Sequence, residues 1–420
     1  MLLAALVSKV LMQLSTRKIK YKPMKLSVNF GIVISLAGFI LAVSAQAQTL
    51  PETTPEQVDL DGEHLKLADE LIEEAIRDEQ TPGAAFMVIR NGLVAHREFF
   101  GKLSYEENAP AVDETTIYDL ASITKPVATA TSAMHLADRG KISLRDAVSD
   151  YIESFEVDRP DDEDGPTPRV IHLMTHSSGL PAYADVDELE EEFAGPSPDG
   201  FIDYVCQVQH DGVTGDDFIY SCPGFVTLQR VIENVSGQSL ADYAAENIFE
   251  PLDMHSTVYQ PEESDRIAPT EKEGDEYLVG KVHDPIARRL MDGISGNAGL
   301  FSTLDDLGRY AAMKLNNGKL DGERILSPAA VDKMTRVPHD LESHGRTPGW
   351  DMHSPFSTNM GDLSSEATYG HTGYTGTSMY IDPESDLAVI LLTNSVHPDD
   401  SSSVIRLRRH VANVVGASVR

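Results

Sequence analysis

Cysteine is scarce in this chain, with two residues, Cys206 and Cys222, among 420. A single intramolecular bridge is therefore the largest disulfide content that the chain can hold. Two alternatives stay open from the sequence. The pair could be bridged, since an oxidising compartment permits disulfides. Otherwise Cys206 packs in the core as a small apolar residue.

Basic residues are also few: 34 lysines and arginines stand against 67 aspartates and glutamates, which gives a formal net charge of −33. A surface this acidic repels nucleic acid and anionic membranes. Acidic runs such as 161–164 are interpreted as solvated faces or loops. The composition therefore predicts no nucleic-acid partner.

A long apolar run is lacking at the N-terminus. The run Phe30–Val43 is shorter than the about 20 residues that cross a bilayer. Three lysines lie between positions 20 and 25, and the small-residue sequence Ala45-Gln46-Ala47 follows. This pattern predicts a signal peptide over 1–47 and a periplasmic or secreted protein. Two alternatives remain: an uncleaved N-terminal anchor, and translation that starts at Met24.

Two common hydrolase motifs are missing. No G-x-S-x-G sequence occurs, which argues against an α/β-hydrolase. His172 and His176 stand four residues apart, but Leu173 follows the first, so H-E-x-x-H is not formed. The sequence therefore predicts no metal site and no cofactor.

Three short motifs that occur in a fixed order point instead to acyl transfer. They are Ser122-Ile123-Thr124-Lys125, Tyr220-Ser221-Cys222 and His371-Thr372-Gly373. The first places a hydroxyl and an amine three residues apart at a predicted helix start, where both point the same way. A nearby amine activates a serine by taking its proton, and the tyrosine is a second proton carrier.

In this order and spacing, the motifs resemble those of the serine β-lactamase and penicillin-binding-protein superfamily. The similarity is greatest to its branch of class C β-lactamases, DD-peptidases and esterases. Further stretches that resemble this branch are Ala121 to Gly140, His172 to Pro181, Phe218 to Gly237, Gly296 to Leu307 and Tyr369 to Asn394.

The resemblance implies an α/β fold of the β-lactamase/transpeptidase-like type: an antiparallel sheet flanked by helices, with an all-α insertion domain. The active site would lie in the cleft between the two parts. The local patterns agree, because strands are predicted near both chain ends and helices in the middle. The predicted parts are a linker at 48–62, an α/β domain at 63–140 and 291–420, and an α-rich insertion at 141–290.

Local signals predict several elements. Apolar residues at helical spacing predict a helix from Leu65 to Ile76. Asn91-Gly92 predicts a hairpin between strands 84–90 and 93–100. Towards the C-terminus, strands are predicted at 369–381 and 387–394, and a closing helix follows.

The resemblance also implies a role for each motif residue. Ser122 would be the nucleophile, Lys125 the base that removes its proton, and Tyr220 the carrier of a proton to the leaving group. The backbone N–H groups of Ser122 and Tyr374 would form the oxyanion hole.

Substrate contacts are assigned to four residues on the same basis. Thr372 and Gly373 would contact the substrate. Cys222 stands where the branch commonly has asparagine, and a thiol is a weaker hydrogen-bonding group. His371 replaces a lysine and would present a positive charge to a substrate carboxylate only when protonated.

The sequence thus predicts an exported serine hydrolase that forms an acyl-enzyme with small amides or esters: D-Ala peptides, β-lactams or simple esters. The alternative is a catalytically silent binding or sensor domain on the same fold. Residues 296–303 and 176–179 are interpreted as structural turns. The oligomeric state is left open.

Overall fold

A computed structural model describes residues 49–155, 167–352 and 360–420 of the chain. The predicted signal peptide at 1–47 lies outside these residues. Within them, no helix is both long enough and apolar enough to span a membrane.

The central sheet combines strands from both ends of the chain. The described strands are β1 (Gly83–Arg90), β2 (Leu93–Gly101), β3 (Tyr118–Asp119), β4 (Val258–Tyr259), β5 (Lys272–Glu273), β6 (Glu276–Tyr277), β7 (Leu300–Ser302), β8 (Lys319–Leu320), β9 (Glu323–Arg324), β10 (Arg346–Thr347), β11 (Trp350–Met352), β12 (Tyr369–Thr372), β13 (Ser378–Asp382) and β14 (Leu387–Thr393). Seven of them form the central sheet in the order β10-β11-β12-β13-β14-β1-β2, and all neighbouring strands in it are antiparallel.

Local chemistry explains the hairpin at the start of the sheet. Asn91 and Gly92 join β1 to β2 with positive φ angles of 55° and 74°. A two-residue turn of this handedness matches the twist of the strands that it connects. The predicted hairpin is therefore confirmed.

Ten α-helices accompany the described strands. They are α1 (Gly62–Arg77), α2 (Thr131–Asp138), α3 (Val170–Met174), α4 (Val186–Phe193), α5 (Pro198–Gln207), α6 (Cys222–Ser236), α7 (Leu240–Ala244), α8 (Leu304–Leu315), α9 (Pro328–Met334) and α10 (Ile405–Ser418). The predicted amphipathic helix is α1, whose N-terminus is capped by the Asp61 carboxylate. It buries Leu65, Ala68, Ile72 and Ala75, as its apolar spacing requires.

Helices cover both faces of the sheet. On one face, α1 and α10 pack on alternate residues of β1 and β14, such as Phe86 and Leu391. On the other face, Met87 and Ile390 belong to a core that continues into the helical part of the chain, where Val226 and Ile232 are buried. This arrangement confirms the predicted β-lactamase-like α/β fold. Ile123, of the motif that begins at Ser122, is buried in the same core.

Two predictions about chain segments are wrong. The described part of the predicted linker, 49–62, is packed: Leu60 is fully buried and bridges to Val419, and Thr53 N–H donates to Val94 O. Buried apolar residues of the segment itself, Leu60 among them, hold residues 49–62 against the rest of the protein. The strand predicted at 369–381 is two strands, β12 and β13, because a turn at 373–377 reverses the chain.

Candidate active site

The Ser122 turn is held by contacts on both sides. Ala121 has a positive φ of 46°, an unusual conformation for a residue with a side chain. Its N–H donates to the Asp119 carboxylate at 2.9 Å. Thr124 Oγ1 accepts from Leu300 N–H at 3.0 Å, which ties the turn to β7. Strain of this kind persists only where the surroundings fix it, and it is frequent at functional sites.

Lys125 lies fully buried behind the Ser122 hydroxyl. Its Nζ is 3.0 Å from Ser122 Oγ, 2.9 Å from Asn297 O and 3.6 Å from Cys222 Sγ. The segment Lys125–Ala130 is a π-helical turn that leads into α2. The amine is therefore within hydrogen-bond reach of the proton that it would remove. Asn297 belongs to 296–303, which sequence reasoning treated as structural only.

Opposing influences act on the pKa of Lys125. Burial is the largest, and it lowers the pKa because it disfavours the ammonium. Cys222, Tyr220 and the Asp284 carboxylate oppose it, and together they bring the pKa of Lys125 above its ordinary value. Burial also raises the pKa of the Cys222 thiol, so at neutral pH the thiol is uncharged and its attraction is missing. The neutral amine, which is the form that can take a proton, therefore becomes more abundant as the pH rises.

Tyr220 is oriented by His176, a histidine that the sequence assigns only to a structural turn. Lys125 Nζ lies 4.9 Å from the centre of the Tyr220 ring. The His176 ring stacks on Tyr220 at a centroid distance of 4.3 Å, and its Nδ1 accepts from Ser221 N–H at 3.0 Å. Burial lowers the pKa of His176 well below its ordinary value. This neutral histidine fixes the tyrosine in the cleft, and no sequence signal links the two positions.

Arg346 is a second residue that the sequence analysis missed. It begins β10 at the sheet edge, and its guanidinium lies 5.5 Å from the Tyr220 ring centre and 4.9 Å from that of Phe218. It pairs with Asp351, whose pKa burial raises to about 6. The cation packs on the aromatic faces and so helps to hold the Tyr220 ring.

His371, which the sequence predicts to be charged only when protonated, is held in its uncharged form by its surroundings. The side chain is buried, and its Nδ1–H donates to the carbonyl oxygen of Thr372 at 2.9 Å. Burial and the nearby charges of Arg346 and Lys125 hold its pKa well below the usual range. His371 is therefore neutral at working pH. It is also not among the described residues that line the cleft, whereas Thr372 and Gly373 are.

The turn after β12 lies directly against the backbone that precedes the nucleophile. A Cβ on Gly373 would stand 2.3 Å from Leu120 O and 2.1 Å from Thr377 Oγ1, so only glycine fits. Thr375 and Thr377 side chains donate to the carbonyls of Asp119 and Leu120 at 2.8 and 3.1 Å. These contacts fix the turn that carries Tyr374 relative to Ser122.

Arg408 braces the same turn from α10. Its Nη2 donates to Gly373 O at 2.6 Å and its Nε to Gly376 O at 3.2 Å. Burial lowers the pKa of Arg408 to about 10, so the guanidinium stays charged at neutral pH. Among the described residues, no carboxylate lies within ion-pair distance of it. No motif or spacing in the sequence marks this cation.

A cleft of about 470 Å³ opens in front of Ser122. Arg408 lines it together with residues of the α10 N-terminus and of both motif turns. Tyr374 stands at its mouth, 66% exposed, with its hydroxyl donating to Asp400 at 2.8 Å. The lining residues are Ser122, Tyr220, Thr372, Gly373, Tyr374, Ser395, Asp400, Ser402, Ser403, Val404, Ile405 and Arg408.

The two cysteines are separate free thiols in the structure. Cys206 is buried beside Ser154 Oγ at 3.5 Å, and Cys222 begins α6 beside Lys125. Of the two alternatives left open by the sequence, the structure has the unbridged one. Within the described ranges no cluster of histidine, cysteine and acidic side chains suits a metal ion.

Comparison with known proteins finds similarity along most of the chain. The family model described as Beta-lactamase matches residues 68–413. An N-acetylmuramyl-L-alanine amidase of Bacillus subtilis is 32% identical, over 79% of this chain and 81% of its own. A putative D-alanyl-D-alanine carboxypeptidase of Escherichia coli O157:H7 is 30% identical, over 87% of this chain and 90% of its own.

Solved structures show the same fold. EstCE1, a hydrolase with promiscuous acyltransferase activity, superposes with a TM-score of 0.67 at 21% identity and covers 84% of this chain and 99% of its own. The octameric penicillin-binding protein homologue of Pyrococcus abyssi gives 0.61 at 25% identity, over 79% of this chain and 73% of its own.

Proposed function

This chain belongs to the β-lactamase family of hydrolases, and on that basis we propose that it is an exported serine hydrolase that forms an acyl-enzyme on Ser122. The observation that carries the proposal is the 3.0 Å contact between Lys125 Nζ and Ser122 Oγ at the base of an open cleft. The intact pair argues against the silent binding or sensor domain, which would have no need of a buried amine against a serine.

In acylation, the neutral amine of Lys125 takes the Ser122 proton as Oγ attacks the substrate carbonyl. The N–H groups of Ser122 and Tyr374 donate to the oxyanion that develops. Tyr220 passes a proton to the leaving group. In deacylation, water enters after the leaving group departs, loses a proton to the Lys125–Tyr220 pair and attacks the acyl carbon. The acyl–Oγ bond then breaks, the pair returns the proton to Ser122 Oγ, and the acid is released.

The substrate that fits this cleft best is an amide that carries a carboxylate on its leaving side, such as a D-Ala-terminated peptide. Arg408 supports this choice, since it is a charged guanidinium on the cleft wall with no acidic partner among the described residues. Its Nε and Nη2 donate to the Gly376 and Gly373 carbonyls, so a substrate carboxylate would accept a charge-assisted hydrogen bond from Nη1. The names of the amidase and carboxypeptidase relatives agree with cleavage of such amides.

Covalent trapping tests the acyl-enzyme directly. The protein is incubated separately with a fluorescent penicillin and a fluorophosphonate, and its intact mass is measured. We expect one adduct per chain, mapped to the peptide that contains Ser122, with at least one of the two reagents. A folded protein that takes up neither reagent would favour the silent domain instead.

Replacement of Arg408 should separate substrates by charge. We expect R408M to raise KM for a D-Ala-D-Ala peptide by about 10- to 100-fold relative to its methyl ester, because a charge-assisted hydrogen bond contributes roughly 1.5–3 kcal/mol. The ratio between the two substrates cancels any effect that acts through the Gly373 turn. R408K keeps the charge but not the planar set of donors, so its KM ratio between the two substrates should lie between those of the wild-type protein and R408M. An equal rise in KM for the peptide and its methyl ester would show that Arg408 only holds the Gly373 turn in place and does not bind the substrate carboxylate.

A further inference from the structure

A second cleft, of about 490 Å³, shares no lining residue with the catalytic one. It lies where α8 and α9 meet β11 and β12. Its walls are largely apolar, and Lys314 of α8 is among its lining residues. The apolar lining includes Leu315, Val331, Val337, Met352, Tyr369 and Pro383.

The Lys314 amine is enclosed by groups that are poor hydrogen-bond acceptors. The residue is 2% exposed, and its Nζ contacts Met334 Sδ at 3.7 Å. The ring centres of Trp350 and Tyr369 lie 5.8 and 5.6 Å away. In the described part of the chain, no carboxylate is within ion-pair distance of Nζ.

These surroundings favour the uncharged amine. Burial lowers the pKa of Lys314 to about 7. Tyr369 adds no charge, because burial raises its pKa well above the ordinary value, and burial raises that of Tyr310 on the same helix as well. At the rim, Asp332 of α9 and Arg336, which lies just after this helix, neutralise each other in a 2.6 Å ion pair. At pH 7 about half of such an amine is neutral, against roughly one in 2,500 for an ordinary lysine with a pKa of about 10.4.

We propose that Lys314 is a reactive amine site, separate from the hydrolase centre, that condenses with small aldehydes carrying an apolar body. The neutral Nζ attacks the carbonyl carbon to give a carbinolamine. Loss of water, which takes the aldehyde oxygen and both amine hydrogens, leaves a neutral imine. A lysine desolvated in an apolar pocket is activated as a nucleophile in this way.

The apolar lining supports an aldehyde over an anionic ligand. An anion would need the ammonium form and further donors, whereas Nζ contacts only a thioether and aromatic faces. An imine with an apolar body needs neither an ammonium nor further donors, and the cleft of about 490 Å³ that Lys314 helps to line has room for a single aromatic ring.

Reductive trapping with benzaldehyde tests the site. The full-length native protein is treated with benzaldehyde and sodium cyanoborohydride between pH 6 and 9, and benzylated lysines are quantified by peptide mapping. We expect Lys314 to be modified at least tenfold faster than the exposed Lys66 and Lys333, with a rate that rises through a midpoint near pH 7. K314M should lose this adduct and keep the others, with Ser122-dependent hydrolysis unchanged.

The comparison between lysines within wild-type protein decides the question even if K314M folds poorly. Modification of Lys314 only after denaturation, or no faster than that of Lys333 on the neighbouring helix, would overturn the proposal. So would preferential modification of Lys125, because the reactive amine would then belong to the hydrolase centre.

Discussion

Replacement of Ser122 with alanine should abolish hydrolysis. We expect kcat/KM for an active substrate, p-nitrophenyl butyrate or a D-Ala-D-Ala peptide, to fall by at least about 10⁴-fold, as when the nucleophile of other serine hydrolases is removed. The reason is that, among the described residues, no other serine or threonine hydroxyl is hydrogen-bonded to the Lys125 amine. Steady-state kinetics should show the loss of hydrolysis, and intact-mass measurement should show the loss of the covalent adduct in the same variant.

S132A is a matched control, since Ser132 is a buried serine of α2 whose hydroxyl has no partner among the described residues. Removal of that hydroxyl should leave both the fold and the activity near wild type. S122A could still keep more than about 1% of wild-type activity and still form a penicillin adduct on its own chain. The activity would then not come from a contaminating hydrolase, and the nucleophile would have to be another residue.

Replacement of Lys125 with methionine should lower kcat/KM by roughly 10³-fold, the scale of general-base catalysis. Methionine fits the fully buried position without leaving an unpaired charge. In the wild-type protein the neutral amine fraction grows with pH, so kcat/KM should rise towards alkaline pH. This rise, the alkaline limb of the pH profile, should be absent in K125M. His176 and His371 do not add a limb near neutrality, because burial keeps the pKa of each well below its usual range.

K314M is the matched control for this variant, because it also replaces a fully buried lysine with methionine. Lys314 lies outside the catalytic cleft, so its loss should not change the pH profile of hydrolysis. A K125M protein that kept the alkaline limb would show that another group removes the Ser122 proton.

The sequence determined the fold class and the local elements near the site. The Asn91-Gly92 hairpin and the α1 periodicity depend on residues that are close in the chain, and both are found as predicted. The β12–β13 reversal was missed, because the turn at 373–377 is held by Leu120 and Asp119, more than 250 residues away.

The order of the three motifs, by itself, indicated Ser122, Lys125 and Tyr220 as the residues to examine. What only the tertiary structure decided is the environment of these side chains. His176, Arg346 and Arg408 reach the site from distant elements, and no periodicity or spacing marks them.

The charge states depend on tertiary structure for the same reason. A pKa is set by burial and by charges a few ångströms away, and neither is encoded in local sequence. His371 was therefore predicted to carry a conditional charge, whereas enclosure beside Arg346 and Lys125 keeps it neutral. Lys314 carries no motif at all. Its unusual amine exists only because folding surrounds it with Met334, Trp350 and Tyr369.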